Sequence, residues 1–212
     1  MKDKKELLVE LKSKMRADDS LPLKKTAINL VFGEGSYDAN IMFIGEGPGF
    51  WEDKKGQPFV GNAGAFLNQL LLSINLDRKD VFITNVVHYR PPENRDPLPN
   101  ELEAFKPYLD KMIEIISPRI IVTLGRFSMA KFLPGVTISS VHGKPKLVSW
   151  KGKDVWVVPM FHPAAGLRNP DVKTKSFEDF KKIPEVLVEL EKKERDKKEE
   201  KDKVKIEQMQ LV

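Results

Sequence analysis

None of the 212 residues is a cysteine. That excludes a disulfide, a thiolate-held zinc and a thiolate-ligated iron–sulfur cluster, and it predicts an intracellular protein. Long apolar runs are missing too: no stretch approaches the roughly 20 residues that cross a bilayer. The opening MKDKKELLVELKSKM is charged and amphipathic, without the continuous apolar core of a signal peptide, so a soluble, cytoplasmic chain is expected. Histidine is scarce, at three residues. Acidic residues fall short of basic ones, leaving a net charge of +5 that permits a polyanionic partner, although the lysine-rich end supplies part of it. Nothing marks a second domain. The expectation is one domain over residues 1–190 and a charged tail over 191–212, where EKKERDKKEEKDKVK has no apolar face.

What is present alternates between two periods. Leu7, Leu8, Leu11 and Met15 recur at helical spacing, so residues 3–16 read as an amphipathic helix. Residues 17–37 read as irregular apart from a short edge-like stretch at LVFGEG. Runs at 40–46, 81–87 and 119–125 are apolar on both faces, the pattern of strands buried in a parallel sheet. Between them lie helical patterns at 65–74 and 100–116, the second opened by Pro99. A short helix at 127–132 follows, then a hairpin-like pair at 146–150 and 154–160, and a last helix from Ser176. This alternation predicts an α/β protein, a three-layer α/β/α sandwich on a central, mainly parallel sheet of four strands.

The stretch IMFIGEGPGFWEDKKGQPFVGNAG, residues 41–64, organises the rest. It reads as strand, acidic and aromatic loop, then glycine-rich helix entry, and in an open α/β sheet ligands bind outside the carboxyl ends of strands. Glu46 to Phe59 is therefore a candidate wall of a site. Asn85 and HPAAGL, with His162, also fall at strand ends, so all three converge on one edge. GEGPG at a helix N-terminus suggests a phosphate cradle as well, but it lacks the Lys-Ser/Thr ending of a P-loop and the spacing of a dinucleotide fingerprint.

GEGPG with the following ED, PFVGNAG, ITNVV, RPPENRDP and HPAAGLRNP, in this order, resemble the family 4 uracil-DNA glycosylases of bacteria and archaea, over about Val31 to Pro170. The resemblance implies a monomeric DNA repair hydrolase, nucleoid-associated in a prokaryote, that removes uracil and leaves an abasic site. Such an enzyme must extrude the nucleotide, stack its ring, read its Watson–Crick edge and stabilise the charge that develops. By resemblance Phe59 stacks on uracil. Asn85 matches N3–H and O4 with an acceptor and a donor, and His162 donates to O2 of the departing anion. Glu46 positions the attacking water. Gly47, counted among the uracil-binding positions, stands where a related family carries a catalytic Asp. Glu52 crowds the C5 position, against thymine. Leu167 is the wedge for the gap left by the flipped base, and Arg168, Arg90, Asn94 and Arg95 are candidates for phosphate contacts. The histidine-containing loop of a family that traps its product covalently is not visible after Gly125.

Two features set the chain apart. Most members of the family hold a four-iron cluster on four cysteines, and the matching positions are Asp18, Leu21, Tyr89 and Phe105. No cofactor or metal is expected, and an apolar and aromatic plug of Leu21, Tyr89 and Phe105 would tie the same segments together. The end QMQLV, with Gln208, Leu211 and Val212, resembles the bacterial sliding-clamp peptide Q-x-x-L-F. A non-catalytic DNA-binding or clamp-associated module on this fold is the alternative, and the joint presence of Phe59, Asn85 and His162 weighs against it.

Overall fold

The computed structural model of the protein describes residues 2–193 and 195–196. In chain order its elements are α1 (Lys4–Ala17), β1 (Glu34–Gly35), β2 (Ile41–Gly45), α2 (Phe50–Lys55), α3 (Asn62–Ser73), β3 (Phe82–Asn85), α4 (Pro99–Ile116), β4 (Ile120–Leu124), α5 (Arg126–Ala130), α6 (Ile138–Val141), β5 (Lys146–Trp150), β6 (Lys153–Met160), α7 (Pro163–Arg168) and α8 (Pro170–Phe180). Residues 182–193 form a further helix.

The sheet runs β1-β3-β2-β4-β6-β5. β3, β2, β4 and β6 are mutually parallel, as the doubly apolar runs require. The expected four strands are therefore the core of a six-stranded sheet, and the count is corrected by two antiparallel edges. β1 pairs with β3 through only two residues, and β5 is the outer arm of the β5–β6 hairpin, with Trp150 opposite Lys153. Both edges are too short or too exposed to carry the buried-strand signature.

Alternation along β2 divides the core. Met42 and Ile44 face Leu8, Met15, Phe105 and Met112 of α1 and α4. Ile41 and Phe43 face Phe66, Leu67 and Leu70 of α3, together with Phe180 of α8. Helices thus cover both faces, giving three layers. β2 leads into α3 on one face and the adjacent β3 into α4 on the other, so their carboxyl ends open into a crevice.

Other boundaries shift for identifiable reasons. α1 starts at a capping box in which the Asp3 carboxylate accepts the Glu6 N–H at 2.7 Å and Glu6 reaches back to the Asp3 N–H. α8 begins at Pro170, six residues ahead of the expected Ser176, because Asn169 caps it by accepting the Asp171 N–H at 2.9 Å. α2 lies inside what reads as loop. Its two acids, Glu52 and Asp53, form tertiary hydrogen bonds that replace a hydrophobic face.

Leu21, Tyr89 and Phe105 are all buried in the core cluster on the α1 and α4 face. The Tyr89 and Phe105 rings lie 6.1 Å apart. Asp18 stands apart from them at the end of α1, where its carboxylate accepts the Tyr108 hydroxyl at 2.6 Å. Burial and this bond push the Tyr108 phenol up to about 12. A four-iron cluster does not fit these positions: they offer no thiolate, and three of the side chains pack into the core themselves. Among the described residues no group of His, Cys, Asp or Glu is arranged to hold a metal ion, and no helix is long and apolar enough to cross a membrane.

Candidate active site

The crevice is a cleft of about 440 Å3, within the range of small-molecule sites. Glu46, Gly47, Pro48, Gly49 and Glu52 line it after β2, Phe59 and Ala63 at the entry to α3, and Asn85 at the end of β3. Pro91 and residues 94–97 contribute from the proline-rich loop, and His162, Ala164 and Arg168 from α7. Every position expected to contact the base or the water, Glu46, Gly47, Glu52, Phe59, Asn85 and His162, is in that lining.

Asn85 is held by strand register. It pairs with Gly45 across β2 and β3, its side chain is buried, and Oδ1 has no hydrogen-bond partner among the described residues. A buried acceptor left unpaired costs about 1–3 kcal/mol, so such an atom in a cleft points to a ligand donor. Gly45 makes the approach feasible: a Cβ there would stand 2.4 Å from Asn85 Oδ1 and 2.6 Å from Phe59 Cζ. Phe59 has a left-handed backbone, with φ of 51°. Its ring is 5.7 Å from the His162 ring, and its loop is clamped on two sides. Glu52 Oε1 accepts the N–H groups of Val60 and Gly61, both at 2.8 Å, and the Arg78 guanidinium donates to the Pro58 carbonyl.

His162 lies two residues past the end of β6 and caps α7. Its Nδ1 accepts the Ala164 N–H at 3.2 Å, which places the proton of the neutral ring on Nε2. Burial, reinforced by Arg168, lowers its pKa to about 4, so the ring is neutral at pH 7. His162 is therefore a neutral donor with a fixed tautomer.

Glu46 follows β2 directly, and its Oε1 accepts the Phe127 N–H at 3.1 Å from the first turn of α5. Burial raises the carboxyl pKa, opposed by that bond and by the Arg126 charge. Gly125, with φ of +107°, is required here: a Cβ would fall 2.3 Å from Glu46 Oε1. The α5 start was not among the expected site residues, although a glycine between the apolar run IIVTL and RFSMA marks a tight strand-to-helix turn.

The proline-rich loop is held from within. Arg90 Nε donates to Asn94 Oδ1 at 2.7 Å, and Glu93 and Asn94 both have left-handed backbones. Arg95 forms a two-point pair with buried Glu101, at 2.9 and 2.6 Å, while Glu101 also accepts the Leu98 N–H. Arg95 thus anchors the loop to α4 while lining the cleft. Asp96 pairs with Arg126, joining this loop to the α5 start. On α7, Leu167 is half exposed and Arg168 lies in the last turn beside the cleft.

The domain is a three-layer α/β/α one, and the Phe59 ring, the unpaired Asn85 Oδ1 and the neutral His162 imidazole share one cleft at its strand ends, an arrangement with the chemistry to stack a flat ring and hydrogen-bond its edge. A sequence model of the uracil DNA glycosylase superfamily matches residues 32–187, and the chain belongs to that superfamily. Similar proteins include the type-4 uracil-DNA glycosylase of Sulfurisphaera tokodaii, 49% identical over 76% of this chain and 76% of that one. That of Archaeoglobus fulgidus is 49% identical over 77% and 85% of the two chains. That of Thermotoga maritima is 43% identical over 80% and 88%.

Proposed function

We propose that the protein is a DNA repair glycosylase that hydrolyses the N-glycosidic bond of deoxyuridine in DNA, releasing uracil and leaving an abasic site. The observation that carries this is the unpaired, buried Asn85 Oδ1 in a cleft shared with Phe59 and a neutral His162. The relatives carry that activity in their names.

In this account a flipped uracil stacks on Phe59, its N3–H donates to Asn85 Oδ1, and the Asn85 amide donates to O4. As the C1′–N1 bond breaks, its electron pair moves into the ring and charge gathers at O2. The His162 Nε2–H donates to that oxygen; a neutral donor suits an anion that must leave without being held as a salt. Water adds to C1′ and gives its proton to Glu46, whose raised pKa fits a general base. Gly47 brings backbone close to the base. Glu52, fixed by two N–H groups, holds the Phe59 loop and occupies the space a C5 methyl would need. Arg90, Asn94 and Arg168 face the strand's phosphates, with Arg95 holding their loop to α4 through Glu101, and Leu167 fills the gap left in the stack. The packing of Leu21, Tyr89 and Phe105 takes over the tethering role of a cluster.

An oligonucleotide with one labelled-strand uracil tests the activity: an alkali-sensitive break at uracil, and none when thymine stands there, is expected. No break on single or double strands would overturn it. Gln208, Leu211 and Val212 lie outside the described residues, and we infer from their sequence that they dock a sliding clamp. Removing residues 208–212 is expected to abolish retention on immobilised clamp, and unchanged retention refutes the docking.

A further inference from the structure

We propose that the outer face of α2, carrying Phe50 and Trp51, is a stacking platform for an unpaired base of the DNA strand that enters the cleft. The idea rests on the reading of the cleft as a uracil pocket. The helix directly follows Gly47–Gly49, which line that cleft, and its own Glu52 does too. Its acids point inward: Glu52 accepts two N–H groups, and buried Asp53 accepts those of Ile28 and Asn29 at 2.9 and 3.0 Å. With the acids used, the i to i+4 spacing leaves Phe50, Trp51, Lys54 and Lys55 on the outside.

The two rings are 47% and 50% exposed and meet edge to face, with centroids 5.2 Å apart. Trp51 lies over Gly61, near enough that a Cβ there would stand 3.5 Å from its Cδ1. Lys54 Nζ lies 5.5 Å from the Trp51 ring centre and the Arg90 guanidinium 5.3 Å from that of Phe50. Two adjacent exposed aromatics on a pinned helix, ringed by cations beside a nucleotide-sized cleft, match what single-stranded nucleic acid requires. Every base has a face to stack, and cations follow the backbone. A base inside a duplex has both faces covered by its stacked neighbours, so the platform favours single strands and strand openings over intact duplex.

The test uses fluorescence anisotropy with uracil-free labelled oligonucleotides, single-stranded and duplex, on the full chain. Trp51→Ala is expected to weaken single-strand binding roughly tenfold while duplex binding changes by less than about twofold; Trp51→Phe retains most of the affinity, and Phe50→Ala loses severalfold. Unchanged single-strand affinity in Trp51→Ala overturns the platform, and so does an equal loss on duplex. Thermal melting of each variant separates local truncation from unfolding, and Trp51→Phe keeps the test decisive if the alanine variant unfolds. Uracil excision by wild type is read in parallel. Normal excision with no dependence of binding on Trp51 sinks the platform alone. Binding that depends on Trp51, without any excision, sinks the reading of the cleft and leaves the platform standing.

Discussion

Replacing His162 with Gln is expected to change how stability responds to acid. The imidazole is partly buried in the cleft wall and neutral, with its pKa lowered to about 4 from an ordinary 6.5, and fully buried His88 is lowered to about 3 by burial. The sign follows from proton uptake. Between pH 8 and 5 the unfolded chain gains a proton at each position and the folded chain does not, so stability rises with pH across that window and falls as acid is added. Integrating the uptake gives a loss of about 2 kcal/mol for each histidine, about 4 kcal/mol together, a large part of a stability of 5–15 kcal/mol. Glu46 and Asp179, whose carboxyls burial pushes up, act in the opposite direction, because folded carboxyls keep protons that unfolded ones release. The difference between two proteins isolates His162. Urea denaturation of wild type and His162→Gln at pH 8 and pH 5 is expected to show the variant losing about 2 kcal/mol less than wild type. Equal losses would refute a neutral His162 with a lowered pKa.

Three further substitutions probe the frame of the cleft. Gly125→Ala places a Cβ against Glu46 and strains a backbone at φ +107°, so excision falls at least tenfold and stability drops by about 1–3 kcal/mol; undiminished excision would show that Glu46 needs no fixed position. Glu52→Ala strips the acceptor from the Val60 and Gly61 N–H groups, costing about 1–3 kcal/mol in denaturation and raising KM by loosening Phe59, with Glu52→Gln recovering part of both. Phe105→Ala opens a cavity among Leu21, Tyr89 and His88 and costs about 3–5 kcal/mol by thermal melting; a near-neutral result, or stoichiometric iron in protein purified without oxygen, would contradict a packed plug.

The sequence exposes the central strands because each is apolar on both faces, and the alternation of strand and helix then confines Glu46, Asn85 and His162 to one edge. Phe59 is legible only through its motif, since nothing local signals a left-handed Phe pressed against Gly45. α2 escapes for a different reason, whereas β1 falls inside the edge-like stretch LVFGEG. Six residues held by carboxylate-to-backbone bonds carry no period long enough to read. Arg95 illustrates the limit for charges: its pairing with Glu101 depends on a loop closing onto the first turn of α4, and a list of arginines does not distinguish an anchor from a phosphate ligand. The Gly125 turn had a local signal in its glycine, but its partner Glu46 lies 81 residues away from the N–H it accepts, at Phe127.

The most direct test is single-turnover excision from an oligonucleotide containing one uracil, with enzyme in excess, for wild type, Asn85→Ala and His162→Ala. Rates that fall by roughly 100-fold or more in both variants, with folding intact, are predicted from the loss of base readout and of the O2 donor. Excision by both variants at the wild-type rate would contradict the account, because the chemistry would then lie outside the cleft that these two residues share.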